Sequence, residues 1–152
     1  MTLNATALLK KVKLDKIKIE LYENEIVHVT YLKGSNIDVL DKMAELEANL
    51  AITNNTKHPF LISFEPFVNI SKEAKEYSIT IELEQPFLAV AVVVDNLAYQ
   101  IMADFYFKFY KPKVLYKVFK SQVKAIEWLL DVKNNPDADH RNKPLKFPFF
   151  NF

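Results

Sequence analysis

One stretch of the sequence constrains the fold more than any other, because it is apolar without interruption. Residues Phe87 to Val94 carry no polar side chain and show no alternation. A strand of this composition is covered on both faces, as strands in the middle of a parallel sheet are. Parallel strands are joined by long crossovers, usually helices, so the neighbouring sequence should alternate strands with helices.

The rest of the chain shows this alternation. Residues 16–21 and 26–31 alternate apolar and polar side chains around a turn at Glu23–Glu25, which predicts an antiparallel hairpin. Periodicity predicts further strands at 59–64, 87–94 and 113–119, and helices at 38–53, 71–84, 97–110 and 121–134. Residues 78–84 also fit a strand, but we interpret them as helix. The predicted fold is α/β, in the order β-β-α-β-α-β-α-β-α: a mixed, mostly parallel five-stranded sheet with about four helices and the first hairpin strand antiparallel at an edge.

The domain organisation follows from these elements. A chain of 152 residues has room for one domain with a sizeable core. We expect an N-terminal arm at residues 1–15, with an added sheet edge as the alternative, a folded domain at 16–132 and an aromatic C-terminal tail at 133–152. In the first helix Val39, Met43, Leu46 and Leu50 form one stripe, which is typical of a face packed on the core.

Composition excludes several classes of function. There is no cysteine and a single glycine, Gly34, so thiol chemistry, cysteine-ligated metals and glycine-rich phosphate loops are excluded and no cofactor is expected. The net charge of +1 gives no overall attraction to nucleic acid. No apolar run is long enough for a signal sequence or a membrane-spanning helix. We therefore expect a cytoplasmic protein.

The three histidines do not suggest a catalytic or metal centre. His28 is expected on the outer face of an edge hairpin, and His58 and His140 in polar loops that face water. Neither Ser63 nor Ser71 has a histidine nearby in sequence, which weakens the case for a nucleophile. No catalytic residue and no metal ligand is predicted, and an enzyme is the third alternative.

The third helix carries more apolar surface than one contact needs. One stripe, with Ala98 and Met102, is expected in the core. A second must be covered by the tail, by another copy of the protein or by an apolar ligand. The candidate residues for this contact are Tyr99, Tyr106, Phe107, Tyr110, Phe147, Phe149, Phe150 and Phe152.

Charge is unevenly distributed. Lysines concentrate near the fifth predicted strand, and acidic residues concentrate on the first helix, where Asp38, Asp41, Glu45 and Glu47 lie. Solvated surface is the simplest interpretation. The alternative is a charged partner, or head-to-tail pairing of unlike patches.

Element order and spacing resemble the STAS domains, and among them the small bacterial SpoIIAA-like proteins. The resemblance covers roughly residues 16–132. It rests on the stretches IELYENEIVHVTY (19–31), FLISFEPFVNISKEAKEY (60–77), 88–95 and PKVLYKVFKSQVKAIEWLL (112–130).

The resemblance implies a regulatory protein and not an enzyme. The best-known members are anti-sigma factor antagonists, in which phosphorylation of a serine or threonine at a helix start switches partner binding. That position falls on Lys72 here, so Ser71 is a possible phosphosite only if the register shifts by one. Ser71 also suits a plain helix N-cap. The matching surface for a partner is Glu65, Asn69, Ser71 and Lys72.

Two functions are therefore predicted from the sequence. The first is a non-enzymatic, STAS-like regulatory or protein-interaction module, expected to form a homodimer. The alternative is a carrier or sensor of a small, lipid-like apolar ligand held at the aromatic third helix.

Overall fold

The structure, a computed structural model, describes residues 6–140 and confirms the α/β class. Its strands are β1 (Leu8–Lys13), β2 (Ile17–Tyr22), β3 (Val27–Tyr31), β4 (Asn36–Ile37), β5 (His58–Phe64), β6 (Asn69–Ile70), β7 (Phe87–Val93) and β8 (Leu115–Phe119). Its helices are α1 (Val39–Ile52), α2 (Lys72–Thr80), α3 (Leu97–Tyr110) and α4 (Gln122–Asn134), with a short 3₁₀ helix at Glu82–Glu84. The ambiguous residues 78–84 are therefore α-helical up to Thr80 and 3₁₀-helical at Glu82–Glu84, as interpreted, and contain no strand.

The main sheet has six strands in the order β1-β2-β3-β5-β7-β8, one more than predicted. The β1–β2 and β2–β3 pairs are antiparallel, and the other three pairs are parallel. The extra strand is β1, so of the two alternatives for the N-terminal residues the added edge is correct, and the hairpin is not at the edge. Its sequence shows no periodicity because β1 is largely exposed and its register shifts between Leu8 and Lys10.

Both faces of the sheet are covered, as the apolar β7 sequence predicts. Val90 and Val92 lie in one buried layer, to which α1 contributes Ala48 and Ile52. Ala89 and Ala91 lie in the other buried layer, to which α4 contributes residues 125–132. Crossovers α1, α2 and α3 connect strands in one direction across the sheet, and right-handed connections place them on one face. The alanines of β7 leave room for α4 to approach the opposite face closely.

The buried face of α1 differs from the prediction. The expected core stripe is wrong at Met43, which is 48% exposed, and its other members are only partly buried. The helix instead buries Lys42, Glu45 and Asn49. The reason is that the sheet side offers them hydrogen-bonding partners in Tyr31 and Gln85.

The helices within residues 6–140 can be compared with the length that a membrane-spanning helix needs. None combines the length and apolar character that crossing a membrane requires.

Candidate functional site

The four residues predicted to bind a partner lie in one short segment of the chain between β5 and the first turn of α2. Glu65 directly follows β5, Asn69 lies in β6, Ser71 precedes α2 and Lys72 is its first residue. We call residues 65–71 the β5–α2 loop. Parallel pairing of β4 with β6 joins this loop to the connection between β3 and α1.

The β5–α2 loop is held by hydrogen bonds to the β3–α1 connection. The Glu65 carboxylate accepts from the Lys33 backbone N–H at 2.9 Å. The Gly34 N–H donates to the Pro66 carbonyl at 3.0 Å, and the Asn69 N–H donates to the carbonyl of Ser35 at 2.9 Å. These bonds place the loop at the carboxyl end of the parallel strands, where open α/β sheets bind their ligands.

Ser71 acts as the N-cap of α2. Its hydroxyl oxygen accepts from the Ala74 N–H at 3.1 Å, which satisfies one free donor of the first helical turn. Lys72 is exposed and lies 4.0 Å from Glu76, a surface pair that contributes little stability. The cap explains why serine precedes α2, while phosphorylation of Ser71 stays a prediction.

The feature of this loop that sequence analysis missed is Phe67. Its side chain is 76% exposed, and its backbone has φ = 66°. A bulky residue rarely adopts this left-handed conformation, which costs roughly 1–2 kcal/mol relative to the right-handed one. The signal in the sequence is the scarcity of glycine. With Gly34 as the single glycine, other turns that need positive φ must be built from other residues.

Replacing Phe67 by glycine and by alanine should separate backbone strain from loss of the ring. Both variants remove the exposed ring, but only alanine keeps a Cβ at positive φ. We expect F67G to be more stable than F67A by about 1 kcal/mol, measured by urea unfolding. Equal stability of the two variants would show that the left-handed conformation is not retained in solution.

Behind the loop lies a buried polar network, which we call the Tyr31–Lys42–Glu45 network. The Tyr31 hydroxyl donates to the Glu45 carboxylate at 2.5 Å and accepts from Lys42 Nζ at 2.8 Å. Lys42 and Glu45 form an ion pair at 3.0 Å, with their side chains 9% and 2% exposed.

The network also connects directly to the β5–α2 loop. The Tyr31 ring stacks on Phe64, with centroids 5.2 Å apart, and the Tyr31 carbonyl accepts from the Glu65 N–H at 2.9 Å. Sequence periodicity could not reveal this network because Lys42 and Glu45 fall where a core helix normally carries apolar residues.

The prediction that His28 lies on the outer face of an edge hairpin is wrong. His28 is 5% exposed and not a surface residue, because β3 lies inside the sheet between β2 and β5 and is buried along its length. Its Nε2 lies 2.8 Å from Ser63 Oγ and 3.4 Å from Thr30 Oγ1. Burial, helped by the charge of Lys18, lowers the pKa of His28 to about 4.

The Ser63–His28 contact has the geometry of a nucleophile and its base, which sequence distance concealed. A base in such a pair is usually oriented by a third group. Here His28 Nδ1 has no hydrogen-bond partner in the part of the chain that the structure describes. Ser63 is paired with both Thr30 of β3 and Val93 of β7, so its backbone belongs to the sheet ladder. The arrangement therefore serves best as a hydrogen bond between β3 and β5.

The other two histidines also make hydrogen bonds. His58, predicted in a loop, is the partly buried first residue of β5, and its Nδ1 lies 2.8 Å from the Glu25 carbonyl. His140 is wrongly predicted as solvated: it is 9% exposed, with Nε2 2.6 Å from the Asn135 carbonyl and Nδ1 3.4 Å from Asp131. It folds back onto the end of α4, which shields it from water. No group of three potential metal ligands occurs within residues 6–140.

The aromatic third helix is described in part. Tyr99 and Tyr110 are 40% and 49% exposed. The expected core stripe is wrong at both Ala98 and Met102, which are exposed, Met102 by 61%. The helix packs against β8 at the sheet edge and buries Gln100 instead, which leaves the described side chains of Leu97, Tyr99 and Met102 exposed. Burial also raises the pKa of the Asp104 carboxyl to about 6. The remaining predicted contact residues lie outside the described side chains: Tyr106, Phe107, Phe147, Phe149, Phe150 and Phe152.

Comparison with known proteins supports the fold. A family model with the description "Domain of unknown function (DUF7793)" matches residues 3–133. A solved structure of an uncharacterised protein of the DUF3478 family from Shewanella loihica PV-4, described as having a SpoIIAA-like fold, is also similar. It is 14% identical with a TM-score of 0.51, over 85% of this chain and 98% of that chain. No curated protein matches the sequence. The chain thus has the SpoIIAA-like fold that the resemblance to STAS domains implied.

Proposed function

Because the chain belongs to the family described as a domain of unknown function (DUF7793), we propose a function from the geometry of its own surface. The chain is a non-enzymatic regulatory module that recognises a protein partner through the β5–α2 loop. A cytoplasmic location and a homodimer, both expected from the sequence, stay predictions within this proposal.

The observation that carries the proposal is the exposed ring of Phe67. An exposed phenylalanine leaves apolar surface in water, and its left-handed backbone adds a cost of roughly 1–2 kcal/mol. Costs of this kind cluster at functional sites, where the surrounding structure enforces them. Hydrogen bonds from Gly34 and Asn69 supply that enforcement here. Exposed aromatic residues are also frequent anchors of protein interfaces.

The charged and polar neighbours of Phe67 suit an interface rim. Glu65 precedes Phe67 and Lys72 follows it in the chain, and both are exposed, as is Asn69. A central apolar anchor with a polar rim is the usual anatomy of a protein–protein contact. Hydrogen bonds hold the loop to the β3–α1 connection, so we expect recognition to need little ordering of the backbone.

A quantitative affinity capture tests the proposal. The wild-type protein and F67A are used as bait in extracts of the cells that make the protein. We expect at least one protein to be depleted roughly tenfold or more with F67A, since a central aromatic anchor contributes 1–2 kcal/mol or more. L9A is the matched control, because Leu9 is 56% exposed on β1, away from the loop. Identical capture by wild type and F67A would contradict the proposal.

One observation favours the alternative function, binding of an apolar ligand. Leu97, Tyr99 and Met102 are all exposed on α3, although β8 packs against the same helix. Such a cluster can mark the entrance to an apolar site. A lipid-like molecule retained in native mass spectrometry by wild type, and lost from the variant with Met102→Ser and Leu97→Ser, would support this alternative.

A further inference from the structure

The outward face of α1 is apolar although the helix is already packed on the sheet. Leu40 is 72% exposed and Met43 is 48% exposed, and Glu47 is exposed on the same side. Leu50 is partly exposed one turn further on. We call Leu40, Met43, Glu47 and Leu50 the outer seam of α1. A surface helix normally shows the reverse arrangement, with apolar residues inward and charges outward.

The spacing of the outer seam is that of a helix-pairing face. Its residues follow one another at intervals of three, four and three, which are the a and d positions of a heptad repeat. Such a stripe stays on one side of the helix and presents knobs to a second helix laid alongside. The seam spans about three turns, or about 15 Å of helix.

The helix is not free to roll and bury this seam. Lys42 and Glu45 hold its inner face to Tyr31. Its start is fixed by a capping box, in which Asp38 accepts from the Asp41 N–H and Asp41 accepts from the Asp38 N–H, each at 2.9 Å. Lys16 also pairs with Asp41 at 2.8 Å. The outer seam is therefore a fixed feature of the fold.

Charge indicates what covers the seam. Residues 38–84, which include α1 and α2, contain nine acidic and four basic side chains, so this part of the chain has a net negative charge. Glu47 lies within the seam itself. Two copies of this chain pairing along their seams would enclose two Glu47 carboxylates with no counter-charge, which is costly. We propose that the outer seam of α1 binds an amphipathic helix of a partner protein that places a lysine or arginine opposite Glu47.

Designed peptides test this proposal without knowledge of the natural partner. The probe is a leucine/lysine peptide of about 18 residues with leucines at heptad a and d positions, long enough to form a helix. A leucine/glutamate peptide of the same spacing is its counterpart. Fluorescence anisotropy should show binding of the lysine peptide, weakened at least about tenfold in the variant with Leu40→Ser and Met43→Ser. The matched control has Leu97→Ser and Met102→Ser on α3 and should bind as the wild type does.

Charge reversal gives the sharpest outcome. E47K should lower the affinity for the lysine peptide by about tenfold or more and raise the affinity for the glutamate peptide, because like charges facing each other across a helix pair repel. Equal affinity of both peptides for wild type and E47K overturns the proposal. Sedimentation velocity gives a second outcome that overturns the proposal. If wild type is a dimer and the variant with Leu40→Ser and Met43→Ser is a monomer, the seam serves self-association. The function proposed for the β5–α2 loop is judged separately, by F67A and protein capture.

Discussion

Replacing Lys42 by alanine is expected to lower the free energy of unfolding by about 3–5 kcal/mol. The Glu45 carboxylate is almost completely buried, and its charge is balanced by Lys42 and by the Tyr31 hydroxyl. Removing the ammonium leaves this carboxylate uncompensated away from water, which costs far more than the loss of one contact. E45A should have an effect of similar size, since it leaves Lys42 buried alone. Urea unfolding at pH 7 measures both.

A variant that replaces the whole network distinguishes this mechanism from simple loss of packing. The triple variant with Tyr31→Phe, Lys42→Met and Glu45→Leu keeps the volume and removes every buried polar group of the network. Its stability should return to within about 1 kcal/mol of wild type or exceed it, as for other buried ion pairs replaced by apolar residues. Single variants that lose less than about 1 kcal/mol would show that water reaches the network.

His28 should make the protein lose stability as the pH falls from 7 to 4. In the folded protein its pKa is lowered to about 4, against 6.5 for an unperturbed imidazole. Between these values the unfolded chain binds a proton that the folded protein does not. The contribution of His28 is therefore fully present above pH 6.5 and is lost as the pH falls toward 4. Its full size is about 3 kcal/mol.

The variant H28Q isolates this contribution from the titration of carboxylates. Glutamine retains a hydrogen-bonding group that can reach Ser63 but does not titrate. Urea unfolding at pH 7 and at pH 4 should show wild type losing about 3 kcal/mol more than H28Q. If wild type and H28Q lose the same free energy of unfolding between pH 7 and pH 4, then His28 has an ordinary pKa in the folded protein. Its imidazole would then be accessible to water.

The strands and helices of this fold were largely predictable because their periodicity reports burial directly. The apolar sequence of β7 and the alternating pattern of β2 and β3 predicted a mostly parallel sheet with both faces buried. The edge strand β1 was predicted only as the alternative to an N-terminal arm, because an exposed and bulged strand has no buried face to impose a pattern. The rotation of α1 was predicted wrongly. Apolar periodicity alone cannot show that Tyr31, distant in sequence, provides partners for Lys42 and Glu45.

The location of the candidate site stays a prediction from the resemblance to STAS domains, and two of its structural details could not be predicted from the sequence. The resemblance to STAS domains pointed to the segment containing Glu65 and Ser71, and the structure brings these residues together at one end of the sheet. Phe67 was missed because backbone conformation, and not residue type, marks it. The His28–Ser63 contact was missed because parallel pairing of β3 with β5 brings together residues far apart in sequence.

Site-specific photocrosslinking at position 67 tests recognition by the β5–α2 loop most directly. Phe67 is replaced by the photoreactive analogue p-benzoylphenylalanine in the cells that make the protein, and Leu9 is replaced in the same way as the exposed control. The proposed function predicts a discrete adduct with a second protein at position 67 that position 9 does not give. The same pattern of adducts from both positions, or none from position 67, would contradict it.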